Sequence, residues 1–354
     1  MKILNIRSPY FITINESGQV GSKVELFIWN NGTTEPTLPT YTFAKTISQR
    51  TDYNISNFVK EFIDNSFSYV GIPTANNNKN WCKVKVKRYK ETTVGTYTLL
   101  DTITYLAVNG YTLFTDGYNN DSEDIVLQDS NIITYYDRAN LNISYIEILF
   151  DTVLGDDLVA RYLVEATSES YIEYLFLLST DPAGQYNFKV PISTDDAAFD
   201  KGNILQIFLN GVLFKTFKCE TIEEKKYTPV VCQFINRFGG AQFLTFFKAK
   251  TDNIEVKGTT HKFLSDSVNY DVTKGQTKRF NINGTQTVKL NTGWVDENYS
   301  DLITDLFLSE NVWLDGKPVE VKSPSSVLKT YLKDKNINYE IEFTYAYNLI
   351  NDVV

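Results

Sequence analysis

Residues 203–219 read NILQIFLNGVLFKTFKC, and this stretch is the clearest indication of the fold class. Two segments rich in apolar, β-forming residues flank the dipeptide Asn210-Gly211. An Asn-Gly pair between two such segments is the strongest short-range signal for a hairpin with a two-residue turn. The pattern therefore predicts two antiparallel strands at this place in the chain.

The hairpin pattern recurs three times further along the chain. It is found at 234–247 around Phe238-Gly239-Gly240, at 279–290 around Asn283-Gly284, and at 313–321 around Asp315-Gly316. In the last of these, Pro318 hints at an edge strand. Eight other segments have strand character: 24–29, 40–44, 83–89, 102–108, 142–150, 159–166, 171–178 and 339–347. Hairpins make antiparallel sheets, so we expect a mainly β chain of antiparallel sandwich or barrel-like modules.

Two short amphipathic helices are predicted, at 54–65 and at 298–308. Each begins with an asparagine that is able to cap the first turn, Asn54 or Asn298. Apolar residues then follow with helical spacing, which makes one stripe suited to packing on a sheet. These residues are Ile55, Phe58, Val59, Phe62 and Ile63 in the first helix, and Tyr299, Leu302, Ile303, Leu306 and Phe307 in the second.

A chain of 354 residues suits two or three domains. A polar segment at 118–130 and a charged segment at 220–226 indicate approximate domain boundaries near residues 140 and 225. The predicted modules are an N-terminal β-rich module with one helix at 1–140, a middle hairpin module at 141–225, and a C-terminal β-rich module with one helix at 226–354. In both outer modules, a strand opened by Trp81 or Trp313 follows the helix. The third module is thus a candidate degenerate repeat of the first, and the alternative is two unrelated surface helices.

The formal net charge of −9 argues against direct nucleic-acid binding, because an acidic protein repels a phosphate backbone. The densest basic stretch, 83–88, alternates lysine with valine, and we interpret it as a solvated sheet face or a charged edge. No run of about 18 apolar residues is present, so no membrane span is expected. Residues 1–10 lack the apolar stretch of a signal peptide, so export by that route is not expected.

The sequence offers little catalytic chemistry. His261 is the single histidine, and its polar surroundings predict a solvated loop residue. Cys82, Cys219 and Cys232 are widely spaced, so we expect small buried hydrophobic residues and neither a disulfide framework nor a zinc site. No phosphate-binding loop, nucleophile elbow or dinucleotide fingerprint is present. We therefore predict no catalytic, cofactor-binding or metal-binding residue, and a protein that is not an enzyme.

Two alternatives based on acidic residues stay open. Paired carboxylates are sufficient for glycoside hydrolysis, and the candidate pairs are Asp156-Asp157, Asp195-Asp196 and Glu123-Asp124. Turn-forming aspartate is the simpler interpretation of these pairs. The acidic segment 116–124 could hold calcium, but it lacks the spacing of an EF-hand, and an ordinary acidic loop is preferred.

Several stretches resemble virion structural proteins of tailed bacteriophages that infect Bacteroidetes. The likeness covers about the first 90 and the last 120 residues, in loose patterns that contain no catalytic residues. The N-terminal patterns are Arg7-Ser-Pro-Tyr10, Leu26-Phe-Ile-Trp29, Pro39-Thr-Tyr-Thr-Phe-Ala-Lys45 and the helix at 55–63. The C-terminal patterns are Leu290-Asn-Thr-Gly-Trp-Val295, the helix from Asn298, Leu308-Ser-Glu-Asn-Val-Trp-Leu314, and the run from Lys329 through Tyr339-Glu-Ile-Glu-Phe343.

The resemblance implies a virion component, in a tail hub, a baseplate or a neck ring. Its partners would be copies of itself and other virion proteins. The chain has 23 Tyr, 23 Phe and 4 Trp, and such residues concentrate binding energy at protein interfaces. They also suit carbohydrate stacking, so a module that binds glycans of the host surface is the alternative. A glycan-degrading enzyme ranks third.

Overall fold

The computed structural model describes residues 2–30, 33–46, 49–67, 79–119, 127–128, 132–135, 144–152, 155–164, 171–177, 184–191, 202–222, 226–263, 268, 271, 273, 275–296, 299–322 and 336–351. The protein is mainly β, with 61% strand and 7% helix, as the hairpin patterns predicted. There are two α-helices in the described ranges, α1 (Ser56–Lys60) and α2 (Tyr299–Leu308), and neither has the length and apolar character that crossing a bilayer requires.

In chain order, the strands of the described ranges are β1 (Lys2–Asn5), β2 (Phe11–Ile14), β3 (Gly21–Asn30), β4 (Tyr41–Thr46), β5 (Thr51–Asn54), β6 (Trp81–Thr93), β7 (Thr96–Val108), β8 (Ile132–Tyr135), β9 (Tyr145–Thr152), β10 (Leu158–Val164), β11 (Tyr171–Leu177), β12 (Gly184–Pro191), β13 (Gly202–Leu209), β14 (Val212–Thr221), β15 (Val230–Ile235), β16 (Ala241–Phe246), β17 (Thr251–Lys262), β18 (Thr277–Asp296), β19 (Val312–Leu314), β20 (Lys317–Val321) and β21 (Asn336–Asn348). Each of the eight predicted isolated strands overlaps one of these.

These strands form five sheets in the part of the chain that the structure describes. Two have five strands, in the orders β1-β7-β6-β3-β4 and β11-β10-β13-β14-β8. One has seven strands, in the order β16-β15-β19-β20-β21-β18-β17, and two have two strands each, β12-β9 and β2-β5. Most pairings are antiparallel, as expected, but β1 pairs with β7 and β8 pairs with β14 in parallel. Hairpin patterns carry no information about these two long-range pairings.

Three of the four predicted hairpins are confirmed. At Asn210-Gly211 and at Asp315-Gly316 both turn residues have positive φ, which is the backbone of a type I′ turn. In the turn between β15 and β16, the Asn236 amide donates to the Gly240 carbonyl at 2.9 Å. The sequence signal for these turns is local, so it identified them without knowledge of the rest of the fold.

The hairpin predicted at Asn283-Gly284 is wrong, because both residues lie inside the continuous 20-residue strand β18. The Asn283 side chain accepts a hydrogen bond from the Ile350 amide at 3.0 Å and donates one to the Ile350 carbonyl at 2.9 Å. Positive φ falls instead on Asn281, beside an irregularity in the register between β17 and β18. Contacts with the segment after β21 therefore replace the turn that the dipeptide favours.

Pro318 does not mark an edge strand, because β20 lies between β19 and β21. It pairs with Trp313 of β19, and the pairing of β20 with β21 begins only at Val319. The proline thus precedes the β21 ladder, so its missing N–H removes no hydrogen bond there.

The apolar stripe of α1 is confirmed, although the helix is shorter than the predicted 54–65. Ile55 and Val59 are buried in the core of the first five-stranded sheet, and Phe58, Phe62 and Ile63 pack against that core. Asn54 accepts a hydrogen bond from the Ser56 amide at 3.2 Å through its side chain. In α2, Leu302, Ile303 and Leu306 are buried, and Asn298 lies outside the described residues.

Spatial contacts divide the chain into two compact units. Unit 1 is Met1–Glu223, Gln233–Leu244 and Asp301–Glu310, and unit 2 is Glu224–Cys232, Thr245–Ser300 and Asn311–Val354. Unit 1 contains both five-stranded sheets and most of α2, whereas unit 2 contains β17 to β21. Whether the modules 1–140, 141–225 and 226–354 fold separately stays a prediction.

The strand that contains Trp81 and the strand that contains Trp313 are connected differently. Trp81 opens β6, which pairs directly with β7. Trp313 lies in β19, which pairs with β20, and β20 in turn pairs with β21. The duplication therefore stays a prediction, and any common unit has different strand connections in its two copies.

Candidate assembly surfaces

Strand β17 is the most unusual element of unit 2. It forms one end of the seven-stranded sheet, and all twelve of its residues are exposed. An edge strand presents a row of unpaired backbone groups, which is a template for pairing with another chain. In the described part of the chain, no strand pairs with β17 other than β18.

The hydrogen bonds of β18 show which backbone groups of β17 point outward. The Phe263 amide donates to the Gln276 carbonyl at 2.7 Å, and the Leu349 amide donates to the Gly284 carbonyl at 2.8 Å. Gly284 thus faces β21, so its neighbour Asn283 faces Lys257, its partner in β17. Because backbone direction alternates along a strand, odd-numbered residues of β17 face β18 and even-numbered ones face outward. We call this outward row the outer edge of β17.

The two faces of β17 differ in chemistry. Ile254 and Val256 lie on one face and are 60% and 50% exposed. A Cβ atom built on Gly284 would lie 3.1 Å from Leu349 Cδ1 and 3.5 Å from Ile254 Cγ2, so Leu349 shares this face. We call Ile254, Val256 and Leu349 the β17 apolar face. The opposite face carries Glu255 and Lys257, whose charged groups are 3.6 Å apart.

Several turns in unit 1 also expose large apolar side chains. Val94 at the β6–β7 turn is almost fully exposed, and Phe114 is 100% exposed. Beside the β13–β14 turn, Val212, Leu213 and Phe214 are all exposed. Exposed apolar side chains contribute nothing to the core, so these positions are candidate contact points with other proteins.

The β13–β14 turn is held by the first pair of candidate catalytic acids. Asn210 donates from its side-chain amide to Asp156 Oδ1 at 2.8 Å, and its Oδ1 accepts from the Asp157 amide at 2.8 Å. The Asn210 amide also donates to the Asp157 carbonyl at 3.1 Å. These contacts give Asp156 and Asp157 a role in fixing the β13–β14 turn.

Replacing Asn210 by alanine is expected to lower the free energy of unfolding by about 1–3 kcal/mol, because it strains the positive-φ backbone and removes two side-chain hydrogen bonds. Asn210→Gly keeps the backbone relaxed and loses only those hydrogen bonds, so it should cost less. Denaturant unfolding measures both. Equal stability of the wild type and Asn210→Ala would contradict this role.

The other acidic candidates lie largely outside the described residues. This applies to Asp195-Asp196, to Glu123-Asp124, and to positions 120–124 of the acidic segment 116–124. In the described part of that segment, Asp116 Oδ2 accepts from the Leu113 amide at 3.0 Å. Asn119 exchanges two hydrogen bonds with the backbone of Phe11, each 2.6 Å long. Within the described ranges, no three His, Cys, Asp or Glu residues are grouped so as to hold a metal ion.

His261 is exposed as predicted, but it lies in β17 and not in a loop. Its ring meets that of Phe263 edge-on, with the centroids 5.0 Å apart. Cys82 and Cys232 are buried, free thiols, and burial raises the pKa of both. The side chain of Cys219 lies outside the described residues.

The basic stretch 83–88 lies in β6, which is an interior strand, so it is not a charged edge. Val84 and Val86 are buried on one side. On the other side the lysines lie over aromatic rings of β3, with Lys87 Nζ 4.8 Å from the centre of the Phe27 ring. These lysines therefore cover an aromatic surface, as long cationic side chains do on sheets.

Sequence reasoning missed β17, which forms the candidate assembly edge. Residues 251–262 are polar, and a strand that is exposed on both faces shows no pattern of burial. The alternation Asn253-Ile254-Glu255-Val256-Lys257 is the signal that could have found it.

Comparison with known proteins adds no relative. No protein-family model matches the chain, and no curated protein matches its sequence.

Proposed function

We propose that this protein is a structural component of a bacteriophage virion, in the tail hub, the baseplate or a neck ring, and that it works through protein–protein contacts and not through catalysis. The observation that supports this most is β17, a long edge strand that is exposed on both faces and carries the β17 apolar face. The assignment to a virion rests on the resemblance of the two ends of the chain to phage structural proteins.

A strand of this kind is a liability in a protein that acts alone. Natural proteins protect edge strands with charged side chains, proline, short length or a covering loop. In β17 the charged Glu255 and Lys257 lie on one face, and Ile254 and Val256 stay exposed on the other. β17 is twelve residues long and contains no proline. Such an edge is stabilised when another strand adds to it, since backbone hydrogen bonds give affinity and side chains give specificity.

The exposed turns of unit 1 provide a second kind of surface. A closed ring requires two different patches that fit each other on neighbouring copies. Phe114 and the group Val212, Leu213 and Phe214 supply apolar contact area of the kind that interfaces bury. The partners of the protein would then be copies of itself and other virion proteins, and its location the virion.

Composition analysis of purified particles tests the proposal. Particles purified on a density gradient from infected host cells should contain the chain at a fixed copy number, by quantitative mass spectrometry. A non-structural phage enzyme made in the same cells is the control and should be depleted. Absence of the chain from infectious particles would overturn the proposed function.

A host-surface glycan-binding module is the second candidate, and Trp294 favours it. This side chain is 68% exposed on β18, and exposed tryptophan suits stacking on sugars. The expected result is saturable binding to host capsule or lipopolysaccharide that Trp294→Ala abolishes. Binding that is unchanged in this variant would remove the support that Trp294 gives.

A further inference from the structure

We infer that the outer edge of β17 pairs with the same edge of a second copy of this chain, antiparallel and about a two-fold axis that passes through Val256. This inference rests on the proposed function, because it names one partner for the assembly. Three features of unit 2 support it: the direction of the β17 backbone, the order of charges along the strand and the β17 apolar face.

The backbone direction limits the possible registers. Because the even-numbered residues point outward, they must lie opposite even-numbered residues of the second copy in hydrogen-bonded pairs. The odd-numbered residues then lie opposite each other in the non-hydrogen-bonded pairs. In those pairs the side chains are closest, so their charges matter most.

The charges on the odd-numbered residues select one of these registers. With Val256 opposite Val256 of the second copy, Glu255 of each copy lies opposite Lys257 of the other. This gives two attractive pairs. Moving the axis to Glu255 would place two glutamates opposite each other, and moving it to Lys257 would place two lysines opposite each other. Like charges directly opposite destabilise a sheet, so both registers are disfavoured.

Registers centred on Ile254 or on Gly258 avoid the repulsion but lose the two attractive pairs. In the register centred on Ile254, Glu255 lies opposite Asn253 of the second copy. In the register centred on Gly258, Glu255 lies opposite His261 of the second copy. The Val256 register is therefore the one in which the strand complements itself in charge.

The same register joins the apolar faces of the two copies. Val256 meets its counterpart, and Ile254 lies opposite Gly258. The Ile282 side chain covers Gly258, with Cγ1 3.1 Å from the position of a Cβ atom there, so Ile254 meets a further apolar group. Leu349 extends this surface onto the end of β21 in each copy. The charged face of the pair then holds two glutamates and two lysines of alternating sign, because Glu255 and Lys257 are already neighbours within each copy.

The register irregularity between β17 and β18 does not interrupt the outer edge of β17. Lys257 pairs with Asn283 and Thr259 with Phe280, so the extra residue belongs to β18 and not to β17. The outer edge of β17 thus keeps its alternation over residues 251–262. A two-fold contact joins copies in pairs only, and larger closed assemblies would use a second surface, such as the exposed turns of unit 1.

Charge exchange on the full-length chain tests the inference. The variants are Glu255→Lys, Lys257→Glu and the double variant with both changes. Mass is measured by size-exclusion chromatography with light scattering over a concentration series. The wild type and the double variant are expected to form dimers, whereas each single variant weakens association at least about tenfold, since two attractive pairs become repulsive. An equimolar mixture of the two single variants should recover the dimer, because both cross-pairs are then attractive.

Glu340→Lys is the matched control. It reverses one exposed carboxylate on the interior strand β21 of the same sheet, and it should leave the dimer unchanged. All of these positions are exposed, and far-ultraviolet circular dichroism confirms that each variant is folded.

Single variants with the wild-type mass, or a double variant that fails to recover the dimer, would overturn the self-pairing. A wild type that stays monomeric at every concentration would overturn it too. The proposed function is judged separately, by whether the chain is present in purified particles.

Discussion

Replacing Lys189 by methionine is expected to lower the free energy of unfolding by about 3–5 kcal/mol, because it leaves a buried charge without its partner. Lys189 and Glu147 lie opposite each other in the β12–β9 pair, and both are buried. Glu147 also accepts a hydrogen bond from the Ala241 amide at 2.8 Å, and the Lys189 ammonium lies 4.8 Å from the centre of the Tyr145 ring. Denaturant unfolding measures the loss.

The double variant Lys189→Met with Glu147→Gln separates charge from packing. The glutamine still accepts the hydrogen bond from the Ala241 amide, and no charge is left, so most of the stability should return. The matched control is the exposed pair Lys289 and Glu340, 2.9 Å apart, where Glu340→Gln should cost less than about 1 kcal/mol. Equal losses of unfolding free energy in Lys189→Met and Glu340→Gln would contradict the role of the buried charge.

The loss of unfolding free energy in Lys189→Met should depend on pH, and the pKa of Lys189 gives the direction of this dependence. Burial lowers the pKa of Lys189 below its ordinary value of 10.5, and Glu147 offsets part of this effect. The unfolded chain therefore binds more protons between the two pKa values, so this group makes the fold more stable as pH rises toward 10.5. The difference in stability between Lys189→Met and the wild type should grow over that range.

Replacing Asp305 by alanine is expected to lower the free energy of unfolding by about 1–3 kcal/mol, because two partly buried donors lose their acceptor. Asp305 belongs to α2 and is buried. It accepts a hydrogen bond from the Tyr111 hydroxyl at 2.7 Å and one from the Arg237 amide at 3.2 Å. The Arg7 guanidinium also donates a hydrogen bond to the Leu308 carbonyl at 2.7 Å. These contacts fix α2 within unit 1, so thermal unfolding should show a lower midpoint.

Tyr111 supplies an independent measure of the same contact. Burial, and then the hydrogen bond to Asp305, raise the pKa of the Tyr111 hydroxyl. In Asp305→Ala the pKa of this tyrosine should fall toward its ordinary value. Nuclear magnetic resonance of tyrosine-labelled protein detects this change, with the Tyr111 signal assigned by Tyr111→Phe. The exposed ion pair between Lys289 and Glu340 of unit 2, 2.9 Å apart, is again the control, and Glu340→Gln should cost less than about 1 kcal/mol and leave the Tyr111 titration unchanged. A Tyr111 titration that does not change in Asp305→Ala would contradict the role of this hydrogen bond.

Local signals predicted the fold class and most of the hairpins. Positive φ at Asn210 and at Asp315 follows from the residues themselves, since asparagine, aspartate and glycine tolerate that backbone best. The dipeptide Asn283-Gly284 carries the same signal but lies in a strand, because Asn283 binds the backbone of Ile350, 67 residues away. A turn signal predicts a turn only where no distant segment competes for the same polar groups.

The sequence could not predict two kinds of feature: contacts between residues far apart in the chain, and a strand that is exposed on both faces. The hydrogen bonds of Asp305 join α2 to residues about 70 and about 190 positions earlier, and no local pattern records such contacts. β17 was missed because strand prediction relies on one buried face. In β17 both faces are exposed, and we propose that its covering comes from another molecule.

If the proposed function holds, a reconstruction of the intact phage particle decides whether β17 is an assembly edge. We expect its outer edge to be hydrogen-bonded to a strand of another subunit, with Ile254 and Val256 buried there. The opposite result would be a chain within the particle whose β17 has water along its whole outer edge and whose apolar turns contact no neighbour.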